Sequence, residues 1–249
     1  MKQLLLIGIG PGDPRQITLE AIEALQQADV FFLIDKGEVR RELIEVRRQL
    51  IERHAQPGSY RMVQIDDVQR DAQASDYKGA VQAWHEQRAA LYARLIEYEL
   101  AAGEVGAFLL WGEPGLYDST LRMLDLVRQF GVEIALRVIP GISSAQALAA
   151  RHAVPLSDTG GSLTIVPGRR LSELAGIDNV LVMLDGRNAF DHIAAEGLYI
   201  YWGAYLGSED EILISGPLQD VKKRIARARK EARARKGWIM DTYLLRRTP

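Results

Sequence analysis

Apolar residues along the chain gather in short runs separated by stretches of helical spacing. Leu4, Leu5, Leu6 and Ile7 form an aliphatic run of the kind a strand buried on both faces requires. Comparable runs at residues 30–34, 107–111 and 135–139 predict further strands. After the first, Leu19, Ile22, Ala24 and Leu25 mark the apolar face of a helix capped by Thr18. Residues 40–53 predict a charged helix with Leu43, Val46, Leu50 and Ile51 inward, stopping near Pro57-Gly58. Residues 60–65 alternate like a strand, and 66–76 read as a loop. Val81, Trp84, Leu91, Leu95 and Ile96 mark the buried side of a long helix ending at Gly103. A helix over 120–130 closes at Gly131, and an alanine-rich helix follows Ser144. Strands alternating with helices predict a parallel sheet covered on both faces.

Beyond residue 154 the rhythm changes. A polar passage with Gly160-Gly161 reads as a linker, and strands are predicted at 163–166, 179–184, 198–202, 211–214 and 238–245. The one long helix among them is the basic stretch 218–234, so neighbouring strands form a mixed, partly antiparallel sheet. The expected fold class is therefore α/β in two domains, residues 1–154 and 155–249, with a cleft between them.

Candidate chemistry lies where three strands run into glycine loops: Gly8-Ile9-Gly10-Pro11-Gly12-Asp13, Gly112-Glu113-Pro114-Gly115 and Pro140-Gly141-Ile142-Ser143-Ser144. In open α/β sheets ligands sit beyond those carboxyl ends. The first loop is not a dinucleotide cradle. Its third glycine comes one residue early for Gly-x-Gly-x-x-Gly, and Asp13 would repel a phosphate. Hydrophobic residues at 47% and charged residues at 26% are ordinary for a soluble enzyme, and no leader or membrane span is indicated. With no cysteine, thiol nucleophiles, thiolate metal sites and disulfides are excluded, which is compatible with the cytoplasm. His54, His85, His152 and His192 lack metal-site spacing, so no metal is expected. A net charge of −2 makes no case for nucleic acid. Residues 222–236 hold nine basic side chains against Glu231 alone, read as a solvated helix face.

Taken in order, the three loops resemble those of the tetrapyrrole methylases, with Glu113 where the family pattern has Asp. The resemblance implies S-adenosylmethionine as methyl donor, a tetrapyrrole substrate and a homodimer. It implies donor contacts at Pro11, Trp111, Gly112, Glu113, Leu116 and Tyr117, and at Ser143, Ser144, Met183 and Leu184. It also implies a further donor loop at Gly203, Ala204, Tyr205 and Gly207, and places Trp238 by the adenine. Residues 37–77 exceed the family core. Within the family, Asp35-Lys36-Gly37, Trp84-His85, the 116–122 segment, Gly168-Arg169-Arg170-Leu171 and residues 237–244 resemble the deacetylating branch. That branch methylates C1 of precorrin-5 and releases acetate. Asp13 or Glu113 is the candidate general base for the water that step needs. A different corrin or uroporphyrinogen methylase, and a non-catalytic carrier, remain as alternatives.

Overall fold

The computed structural model describes residues 2–35, 37, 41–69 and 77–248. The expected loop at 66–76 lies outside them from residue 70 onward, as do Lys36, residues 38–40 and the side chain of Val81.

The first sheet contains β1 (Lys2–Gly8), β2 (Val30–Asp35), β3 (Arg61–Asp66), β4 (Val105–Leu110) and β5 (Ile134–Ile139). All pair parallel, in the order β3-β2-β4-β1-β5. Successive side chains of a strand point to opposite faces, and the apolar runs feed two cores accordingly. Leu5, Ile7, Phe31, Leu33, Ala107 and Leu109 pack under α1 (Leu19–Gln27) and α2 (Arg41–His54). Leu4, Leu6, Val30, Phe32, Phe108 and Leu110 pack under α3 (Tyr77–Glu99) and α4 (Thr120–Gln129). The chain thus leaves β1 over one face toward β2, and leaves β4 over the other toward β5. This divergence is a switch point, where α/β sheets open a crevice at their carboxyl edge.

The second sheet has the order β6-β7-β10-β8-β9, with β6 (Thr164–Pro167), β7 (Asn179–Met183), β8 (Leu198–Ala204), β9 (Ile212–Pro217) and β10 (Asp241–Arg247). Only β6 and β7 run parallel; the other pairings are antiparallel, making the sheet mixed. Leu181 and Leu244 face α5 (Ser144–His152), while Val180, Val182, Tyr243 and Leu245 share a core with α6 (Leu218–Lys236).

Several expectations need correction. Contacts divide the chain between Ile142 and Ser143, not at 154/155, because α5 packs on the second sheet. Residues Pro11–Asp13 join that second unit as well. The buried stripe of α1 is Ala21, Ala24 and Leu25, and Leu19 is 80% exposed at the helix start. In α2 it is Ile44, with Leu50 and Ile51, that is buried. The last strand begins at Asp241, so Trp238 lies in the turn before it.

Candidate active site

In the first unit the loops after β1, β4 and β5 touch backbone to backbone. Gly10 and Gly112 exchange hydrogen bonds, N–H to O of 2.8 and 3.3 Å. A Cβ on Gly141 would lie 2.2 Å from Gly112 O and 2.8 Å from Gly8 C, so only glycine fits there. Glu113 staples this junction. Its Oε1 accepts from Gly115 N–H at 2.8 Å and its Oε2 from Gly141 N–H at 2.7 Å.

Space opens beside that junction. Gly112 is buried with φ +71, yet nothing lies within 4 Å of where its Cβ would be. The neighbouring Trp111 holds its Nε1 buried without a partner, a donor of the kind that a ligand or water satisfies. Past Leu116, Tyr117 adopts φ 56 and is 42% exposed.

Polar groups line the same carboxyl edge. β2 pairs with β4 only as far as Phe32, and beyond it Arg47 donates to Leu109 O at 2.9 Å. Burial pulls the Arg47 guanidinium down to about 10, partly offset by Asp118, so it stays charged at neutral pH. Arg88 is 3% exposed and donates to Asp67 Oδ1 (2.8 Å), Tyr92 Oη (3.0 Å) and Ser119 Oγ (3.3 Å). Its guanidinium also lies 4.8 Å from the Trp84 ring centroid. Burial raises the Tyr92 phenol to about 12. It lowers the His85 imidazole, with Arg122 and Arg88 adding to the effect.

In the second unit, Pro11 and Asp13 are buried, and a Cβ on Gly12 would stand 2.7 Å from Leu206 O. Asp13 is 8% exposed, drawn inward with this loop. Ser143 closes a capping box: its N–H donates to Gln146 Oε1 at 2.8 Å and its Oγ accepts from Gln146 N–H at 3.4 Å. Its hydroxyl is therefore used by α5, while Ser144 stays half-buried in the first turn.

Met183 ends β7 half-buried, and Leu184 follows with φ 52 and 61% exposure. Gly203 and Ala204 are buried beneath the next turn, where a Cβ on Gly203 would meet Leu206 Cδ2 at 2.7 Å. Tyr205 has φ 49; its N–H donates to Met240 O at 2.9 Å and its Oη to Trp238 O at 2.5 Å. Gly207 N–H donates to Glu211 Oε2 at 2.7 Å. Left-handed backbone is uncommon for bulky residues and collects at ligand sites. Tyr117, Leu184 and Tyr205 all have it, and each follows the end of a strand.

The sequence profile of the Tetrapyrrole (Corrin/Porphyrin) Methylases matches residues 3–222. The chain belongs to the tetrapyrrole methylase family. It is 46% identical over 250 residues to the "Precorrin-6A synthase [deacetylating]" of Sinorhizobium sp, an alignment covering 99% of this chain and 96% of that protein. The crystal structure of a cobalamin synthesis related protein (CobF) from Corynebacterium diphtheriae superposes with TM-score 0.87 at 35% identity, covering 100% of both chains. A uroporphyrin-III C-methyl transferase of Thermus thermophilus, solved with S-adenyl homocysteine, shares the fold at TM-score 0.61 and 16% identity. That match covers 98% of this chain and 92% of that one.

Sequence reasoning missed Arg88, Asp67 and, in the second unit, the buried trio Asp185, Arg229 and Asp241. Helical spacing carried a signal for one of them, since Arg229 falls on the stripe of Ile225 and Ala232.

Proposed function

We infer that the protein is an S-adenosylmethionine-dependent methyltransferase that methylates C1 of precorrin-5 and releases acetate, giving precorrin-6A. The observation that carries this is the 46% identity to the deacetylating synthase, which runs through 99% of the chain. Local geometry agrees with a bound donor. In the first unit the open side of Gly112, the unpartnered Trp111 indole and the left-handed Tyr117 are features that ligand sites use, and in the second unit the left-handed Leu184 and Tyr205 are.

When bound, the donor supplies an electrophilic methyl group. Pro11, Trp111, Gly112, Leu116, Tyr117, Ser144, Met183, Leu184, Tyr205, Gly207 and Trp238 are assigned to hold it. Ser143, Gly203, Ala204 and Glu113 support these loops from behind, through the contacts described above. Holding two reactants in line supplies most of the rate in such a transfer.

Acetate release needs water to attack a carbonyl carbon while a base takes its proton; the bond from that carbon to the ring then breaks, and its electron pair stays on the conjugated ring. Asp13, buried in the first loop, and Glu113, whose two oxygens accept backbone N–H groups, are the carboxylates assigned to that step. A homodimer and a cytoplasmic location complete the reading, supported by the family resemblance and by the cysteine-free sequence respectively.

Labelled methyl transfer to precorrin-5, followed together with acetate in one reaction, tests the proposal. Methyl gain without acetate would make the chain a different ring methylase, and binding without turnover would make it a carrier.

A further inference from the structure

The basic helix α6 carries one arginine that is not solvated. Arg229 is 6% exposed, and its Nε stands 2.8 Å from Asp241 Oδ2. Its terminal nitrogens donate to Asp241 Oδ1 at 3.2 Å, to Asn188 Oδ1 and to the Asp185 carbonyl. Asp241 also accepts from Trp202 Nε1 at 2.7 Å. The Asp185 carboxylate accepts from Arg187 N–H (2.9 Å), Ala189 N–H (2.8 Å) and Tyr243 Oη (2.8 Å).

One guanidinium thus fastens the start of β10 to the turn after β7. Asp185 lies between two left-handed residues, Leu184 and Asn188. On the other side, Tyr205 is fixed by Met240 O and Trp238 O, in the segment that leads into Asp241. Strained backbone persists only where its surroundings over-determine it. A buried ion pair contributes little net stability over an apolar pair of similar volume. Its geometric use here is to hold two strained turns.

We propose that Arg229 is a positioning residue for the methyl donor: its pair with Asp241 holds the 184–188 and 203–207 turns in the shape that receives it. Donor binding then requires Asp241 to be ionised. The inference rests on reading those turns as donor loops.

Burial pushes the Asp241 carboxyl up to about 6, against the pull of Arg229 and the Trp202 indole, while Asp185 adds to the push. The groups facing it are Arg229 from α6, Asp185 from the turn after β7, Trp202 from β8 and Tyr243 on its own strand. Tyr243 is itself pushed upward by burial and Asp185, and stays neutral. Protonating Asp241 ends its charge pairing with Arg229. Affinity for the donor should therefore fall as pH drops through about 6, approaching tenfold per unit below it.

The test is calorimetric affinity for S-adenosylhomocysteine from about pH 5 to about pH 7, on wild type, Asp241→Asn, Arg229→Met and Arg229→Lys. The ligand's own ammonium, carboxylate and adenine groups keep their charge over that range. Wild type should lose about tenfold between these limits. Asp241→Asn should bind weakly with no pH response, which separates Asp241 from His152 and His192. Arg229→Lys should recover part of what Arg229→Met loses. If Asp241→Asn fails to fold, the same profile on His152→Gln and His192→Gln decides: both keep the wild-type fall when Asp241 is its source, and loss of the fall in either overturns the inference. Wild-type binding that does not change with pH overturns the inference. So does an Asp241→Asn variant that keeps the wild-type response. Absence of any binding would overturn the donor reading together with this one.

Discussion

Glu113 offers the sharpest separation between chemistry and architecture, because both roles can be read into one carboxylate. Its two oxygens accept from Gly115 N–H at 2.8 Å and Gly141 N–H at 2.7 Å, tying the loop after β4 to the loop after β5. Hydrogen bonds to a charged group contribute about 1.5–3 kcal/mol each. The side chain is half-buried, so solvent trims the sum of the two bonds and Glu113→Ala should cost about 2–4 kcal/mol. For a chain of this size that lowers the melting temperature by roughly 5–15 °C. Glu113→Gln keeps the length but turns an NH2 toward one of the two backbone donors, so it should lose about half as much. Glu113→Asp withdraws the carboxylate by about one C–C bond, ~1.5 Å, and should lose the Gly141 contact. The assays are thermal unfolding and calorimetric affinity for S-adenosylhomocysteine on the same preparations. Both should fall together in the order Ala, then Gln. Melting within about 1 °C of wild type, with turnover reduced about 10²-fold or more, would refute the staple and make Glu113 a base.

Asp13→Ala should lower turnover about 10²–10⁴-fold while donor affinity changes little; turnover near wild type would remove Asp13 from the chemistry. Arg61 and the Ala101 N–H hold the Glu104 carboxyl down to about 2. Its contribution is therefore present above the ordinary carboxylate range, near pH 4.5, and lost as pH falls through about 2. Because the Arg61 side chain is 46% exposed, screening limits the pair to about 1 kcal/mol or less; urea unfolding of Glu104→Gln should show that deficit at neutral pH and a shrinking one in acid. Among the described residues no group of three or more His, Asp or Glu could hold a metal ion. With no cysteine and no metal-site spacing of the four histidines, dialysis against a chelator should leave donor affinity unchanged in calorimetry, and a loss would put a metal in the site.

Much of the first sheet was legible because its strands are apolar on both faces: the Leu4–Leu6 and Leu5–Ile7 pairs feed opposite cores. The three glycine loops were legible for a related reason, since Gly8 and Gly141 crowd one junction where side chains have no room, and Gly112 beside them takes a left-handed φ of +71. Affiliations were not legible. The apolar residues of α5, Ala145, Ala147 and Leu148, say that one face is buried but not on which sheet, so the sequence alone puts the domain boundary after α5 and the contacts put it before. Composition also masked Arg229, whose helical position placed it inward while its neighbours suggested a solvated face. Left-handed backbone at Tyr117, Leu184 and Tyr205 carries no glycine to announce it. Family resemblance points to these residues, and the backbone supplies a separate physical reason for their role.

Methylation at C1 coupled to loss of the two-carbon unit separates this reaction from other ring methylations. Precorrin-5 incubated with the protein and donor carrying a ¹³C methyl group should give a product whose label resides at C1 by NMR, with one acetate released per methyl transferred. Label at another ring carbon, or methylation without acetate, would contradict it.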